Sequence, residues 1–135
     1  MADTRIRFGT GQRPDGLLTE IAHDNARQIV ADNRARGLRR DAVHLREFCD
    51  ELTMWHDKVF AHRAADREAR YKELAPFIRM LCAKVTEAKG QGQIGPGFEE
   101  MFAHVVNAIK NPETLKDAQQ FMAAFMGFYQ AEEQK

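Results

Sequence analysis

Leu45, Phe48, Leu52, Trp55 and Val59 recur at alternating steps of three and four, the spacing that lines one face of an α-helix. The same rhythm returns at Tyr71, Leu74, Ile78, Leu81, Val85 and Ala88, and again at Phe98, Phe102, Val105 and Ile109. A chain built of such stripes must bury each against another helix, which restricts it to a helical bundle. Composition agrees, with 19 Ala against only 12 Val plus Ile, and no segment longer than four residues alternates like a strand.

Turn residues divide the stripes. Leu17, Ile21, Ala22, Ile29 and Val30 predict a first helix over 15–35, ending at Gly37 in the left-handed conformation that closes helices. Asp41 is suited to cap the second helix. Pro76 falls inside the segment 66–89, which must be kinked there or divided; we expect division into a short lead-in and a helix beginning at Pro76. The fourth helix stops at Asn111-Pro112, and Pro112 opens a fifth carrying Leu115, Ala118, Phe121, Met122, Phe125, Phe128 and Tyr129. The expected architecture is an all-α, compact bundle of about five helices in one domain, 15–135, behind a flexible N-terminal arm, 1–14, with glycine-rich breaks at 9–16 and 90–97.

At 135 residues a single domain buries about 65 to 70% of its unfolded surface, so it needs neither disulfides nor structural metal. Cys49 and Cys82 therefore read as small reduced residues at the edge of the core, with ordinary or raised pKa. No apolar run reaches the roughly 20 residues of a membrane span, and the first residues lack a secretory stretch, so we expect a soluble, cytoplasmic protein that does not engage membranes.

Three motifs have weak chemical readings. Gly90-Gln-Gly-Gln-Ile-Gly95 has the letters of a phosphate-binding loop, but such a loop joins a strand to a helix, and here a helix precedes it. Glu20-Ile-Ala-His23 is one copy of a unit that di-iron bundles use twice, and Glu100 with His104 does not complete the set. Trp55 and the C-terminal phenylalanines occupy inward stripes and read as packing residues rather than base-stacking ones. We expect no enzyme, no cofactor and no metal.

The 20 Lys+Arg balance the 20 Asp+Glu, so the distribution of charge matters more than its sum. Residues 27–46 carry six Arg against two Asp, 47–57 carry four acids and no base, and 58–89 carry eight bases against four acids. Arg34, Arg36, Arg39 and Arg40 form the densest run. Lys72 and Arg79 fall opposite the Leu74/Ile78/Leu81 stripe if that helix is continuous, while Lys84 and Arg46 flank the stripes of their own helices. A basic rim beside a buried seam suits a phosphate backbone, because long side chains lay their stems on the core and project charge outward.

Leu45-Arg46-Glu47-Phe48 opens one helix, Met80-Leu-Cys-Ala-Lys84-Val85 lies on a later one, and Phe121-Met-Ala-Ala-Phe125-Met-Gly-Phe128-Tyr129 forms the last. Together, over residues 17–130, these segments resemble the small subunit of the type III-A CRISPR effector, the Csm complex. The resemblance implies a small all-helical, non-enzymatic protein, present in several copies along the guide-binding subunits, that helps hold the guide RNA and its paired target RNA. Arg46 and Phe48 match the family's Arg-x-Phe-Tyr opening and Lys84 the lysine of its Ala-Lys segment, while Lys89 stands where the family has Arg. Cys49 and Glu87 replace tyrosines common in the family.

Two functions follow as expectations. One is an RNA-backbone-binding subunit using Arg39, Arg40, Arg46, Lys72, Arg79, Lys84 and Lys89, with guide and target RNA, other subunits of the complex and copies of itself as partners. The other is a helical protein-interaction or self-association module with no direct RNA binding, favoured by the opposite charge of 47–57 and 58–89.

Overall fold

The computed structural model describes residues 2–38 and 42–135, so Asp41, the expected cap of the second helix, lies outside the described residues. Among the described residues there are five α-helices and no strand. A π-helical turn (Leu17–Ile21) leads into α1 (Ala22–Ala35), followed by α2 (Ala42–Phe60). A 3-10 turn (Ala64–Asp66) then leads into α3 (Arg67–Gly90), and α4 (Pro96–Asn107) and α5 (Pro112–Glu133) complete the chain. The all-α reading of the sequence holds. No helix of the described residues is long and apolar enough to cross a membrane.

The bundle is organised around α5. Helices α1 and α2 pack directly on it, while α3 packs on α2 and α4 and touches α5 more lightly. This follows from the α5 sequence, where Leu115, Ala118, Phe121, Met122, Phe125, Met126 and Tyr129 are all buried and together cover more than one stripe of the helix. Phe98 and Phe102 of α4 meet this surface; Phe98 lies 6.0 Å from Phe125 between ring centroids, and Phe125 lies 5.6 Å from Tyr129. Phe48 of α2 closes the cluster at 6.2 Å from Phe98 and 5.7 Å from Phe102. Tilted rings at these separations add attraction to a large loss of apolar surface.

Helix ends follow the turn chemistry. Gly37 and Gly92 have φ of +72° and +77°, and each closes its helix with the paired backbone bonds of a left-handed cap: Leu38 N to Asn33 O with Gly37 N to Arg34 O, and Gln93 N to Ala88 O with Gly92 N to Lys89 O. Asn111 caps α5 by accepting from Thr114 N at 2.8 Å, while Thr114 Oγ1 accepts from Asn111 N at 3.0 Å, and Pro112 takes the first position, where it lacks no needed donor.

Two expectations are corrected. Helix α3 runs unbroken through Pro76. The proline sits on the solvent side, so the Lys72 carbonyl that loses its partner can bond to water, while the buried residues Tyr71, Leu74, Ala75, Ile78, Leu81, Val85 and Ala88 hold both halves against their neighbours. The segment expected as a mobile arm lies packed on the bundle. Ile6 and Phe8 are only 1% and 7% exposed, and Phe8 meets Phe121 at 6.3 Å. Polar contacts hold the segment along its length: His104 Nε2 donates to Ile6 O at 2.8 Å, Gly9 N and Arg13 Nη1 donate to Asp117 at 2.8 and 2.7 Å, and Thr10 N donates to Glu113. Two isolated apolar residues among arginines give no periodicity, which is why the sequence did not mark them as core.

Ile6→Ala should therefore lower the unfolding free energy in urea by about 2–5 kcal/mol, the cost of truncating a buried isoleucine. An unchanged urea midpoint would restore the mobile arm.

Candidate nucleic-acid interface

Of the seven basic residues expected to meet RNA, the five that the structure describes do not form one patch. Arg39 and Arg40 lie outside the described residues. Arg46, Lys72 and Arg79 are exposed and make no ion pair among the described residues. Because α3 is continuous, Lys72 and Arg79 are nearly in line, about 20° apart around the helix, on the side turned away from Leu74, Ile78 and Leu81.

Lys84 points elsewhere. It stands five residues after Arg79, about 140° around the same helix. Its Nζ reaches both carboxylate oxygens of Glu51 on α2, at 2.9 and 3.2 Å. Lys89 Nζ lies 3.8 Å from Glu99 Oε1 on α4, and Glu87 accepts from Gln91 Nε2 at 3.3 Å. Arg46 and Glu51 are likewise five apart on α2, so Arg46 and the Lys84 pair lie about 140° apart around that helix. The expected rim thus resolves into Arg46 on one side of α2, a bridge across the α2/α3 seam, and a free basic stripe on the far side of α3. Helix-by-helix reading cannot see that α2 and α3 pair an acid with a base. Of the four acids in 47–57, Glu47, Asp50 and Asp57 are exposed on the outer side of α2 beside Val43 and Met54, while Glu51 is drawn into the seam.

The seam also holds a group the sequence reading placed in the core. Trp55 is half-buried, and its indole stacks on Phe77 of α3 while Nε1 donates to Glu51 Oε2 at 3.3 Å. Phe77 is off the α3 stripe, one residue before Ile78 and about 100° from it, and that offset was readable.

The remaining motifs have structural explanations. Burial pushes the Cys49 thiol up to about 12 and raises Cys82 as well, so neither supplies a thiolate at neutral pH. His23 stacks on Phe128 at 4.5 Å and meets Glu132 Oε1 at 2.8 Å, and its hydrogen bond is the main cause that holds the Glu132 carboxyl down to about 2. Gly90–Gly95 is a helix-to-helix turn. No group of three His, Cys, Asp or Glu among the described residues is placed to hold a metal ion.

A double-mutant cycle of Glu51→Ala and Lys84→Ala, read by urea denaturation, should give a coupling of about 0.2–1 kcal/mol, as expected for a pair half open to solvent. Zero coupling would mean that Lys84 is free for another partner. In comparison with known proteins, the chain matches no protein-family model, no curated protein and no solved structure.

Proposed function

We propose that this chain is the non-catalytic small subunit of a cytoplasmic, RNA-guided type III-A CRISPR interference complex. In this reading it binds the backbone of guide and target RNA without sequence specificity, packs along the guide-binding subunits and sits beside copies of itself. The observation that carries the reading is the placement of the three resembling segments. They lie on α2, α3 and α5, which pack on one another, and α2 and α3 leave Arg46, Lys72 and Arg79 exposed with no ion pair among the described residues. Guanidinium and ammonium groups held on rigid helices contact phosphates and carry no base preference. The raised thiols support a role without nucleophilic chemistry.

A second reading, a protein-interaction module without RNA, draws support from Lys84 and Lys89, which are occupied by Glu51 and Glu99. The acidic outer face of α2 and the basic stripe of α3 also suit docking between chains.

Binding of the purified protein to a labelled single-stranded RNA across a salt series separates the two. The RNA reading expects affinity to fall steeply with salt, and Arg46→Ala and Lys72→Ala/Arg79→Ala each to flatten the slope by about 0.7 per lost phosphate contact. Lys84→Ala should have the smaller effect, because its charge is already engaged. Slopes unchanged in both variants would count against the proposed contacts, and no binding at low salt would favour the interaction module.

A further inference from the structure

Lys110 stands in the turn between α4 and α5, is exposed and makes no ion pair among the described residues. The sequence gave no reason to single it out, because a lone lysine between Ile109 and Asn111 belongs to no basic run. The structure holds its backbone from two sides. The Lys110 N–H donates to Thr114 Oγ1 at 2.7 Å, and the neighbouring Ile109 carbonyl accepts from the Tyr71 hydroxyl of α3 at 3.3 Å. Three residues before Lys110, Asn107 Oδ1 accepts from Cys82 Sγ at 3.9 Å. The stretch 107–110 therefore runs along α3 between Cys82 and Tyr71, the length of helix that carries Lys72 and Arg79.

Tyr71 and Cys82 are eleven residues apart, about 20° around α3, so both face this stretch. Lys72 lies about 100° round from Tyr71 and Arg79 about 60° round from Cys82, in the same sense, so the two bases border the face that takes the turn. Burial raises the Tyr71 hydroxyl and the Arg79 charge opposes it, which puts the guanidinium within electrostatic reach of the group that holds Ile109. Of the nearby acids, Glu73 is engaged by Arg70 at 3.1 Å and Glu113 by Thr10, while Glu68, one turn before Lys72, makes no ion pair among the described residues. Three free cations against one free acid leave this edge net positive. Phe77 and Met80, about 100° or more round from Arg79, turn to the α2 side. A protein partner needs an apolar centre, whereas a phosphate backbone needs only charge.

We infer that Lys110 is a further phosphate contact, and that the RNA strand crosses the edge between α3 and the α4–α5 turn over Lys72, Arg79 and Lys110. The strand then avoids the α2/α3 seam, where Lys84 is occupied by Glu51. The inference rests on the RNA reading and adds to it a residue from a second element and a path. Arg46, on another helix, is separate from this path.

The test is the anisotropy of a labelled oligouridylate across a salt series, with Lys110→Ala, Lys72→Ala/Arg79→Ala and, as a control, Lys116→Ala, an exposed lysine further along α5. Lys110→Ala should flatten the salt slope by about 0.7, the share of one phosphate contact on a single strand. Its urea midpoint should match the wild type, because the bond to Thr114 is made by backbone. Lys110→Arg, which keeps the charge, and Lys116→Ala should bind like the wild type. Polyglutamate of equal length should displace the RNA only at much higher concentration. A wild-type slope in Lys110→Ala beside a flattened one in Lys72→Ala/Arg79→Ala would overturn the path and leave the backbone reading standing. Equal flattening by Lys116→Ala would show diffuse attraction in place of a path and overturn it. Displacement by polyglutamate at equal concentration would assign the edge to an acidic protein and overturn the inference. No RNA binding at low salt would overturn both the path and the RNA reading.

Discussion

The burial of α5 is the constraint on which the rest of the structure depends. A helix with apolar residues over more than one stripe cannot rest on a single partner, so α1 and α2 must pack against it and the phenylalanines of α4 must meet it. Phe98, Phe102, Phe121 and Phe125 are fully buried, and removing any one ring from such a site costs about 3–5 kcal/mol, a large part of the stability of a small domain. Once the helices are fixed around this cluster, α3 is held against α2 and α4 from a distance, with one face turned fully to solvent. That face carries Lys72 and Arg79.

The same arrangement explains why charge is spent in some places and left free in others. Where two helices meet, acids and bases are drawn into pairs, as with Glu51 and Lys84 across the α2/α3 seam and Lys89 beside Glu99 near the start of α4. On the solvent side of α3, Lys72 and Arg79 make no ion pair among the described residues, while Arg70 pairs with Glu73 of its own helix at 3.1 Å. Half-exposed pairs contribute little to stability, so the Glu51 carboxylate matters more for orientation, holding the Lys84 ammonium and the Trp55 indole together. The helix backbones beneath the exposed bases are fixed by packing, so only the long side chains would have to be ordered by a partner.

Much of the fold was legible because periodicity and turn chemistry act locally. The stripes of α2 to α5, the Gly37 cap and the Pro112 start were readable in residues a few positions apart. The packed segment around Ile6 and Phe8 was not, because its partners Asp117, Phe121 and His104 lie about a hundred residues away. Pro76 misled for a related reason: the propensity to break a helix is local, but the buried stripe that overrides it is satisfied by other helices. For the candidate interface, sequence alone identified which residues are basic and which helix each rides on. It could not show that Lys84 is paired with Glu51 across the seam or that Trp55 leans out against Phe77.

The central claim is that this bundle works as an RNA-holding subunit inside a larger guide-bearing assembly. The most direct measurement is affinity purification of the tagged protein from its own cells under gentle salt, with the associated RNA and proteins identified. The account predicts short RNAs of defined length together with several larger protein subunits, and their loss at high salt or after ribonuclease treatment. Recovery of the protein with no RNA, alone or with protein partners that ribonuclease leaves untouched, would contradict it.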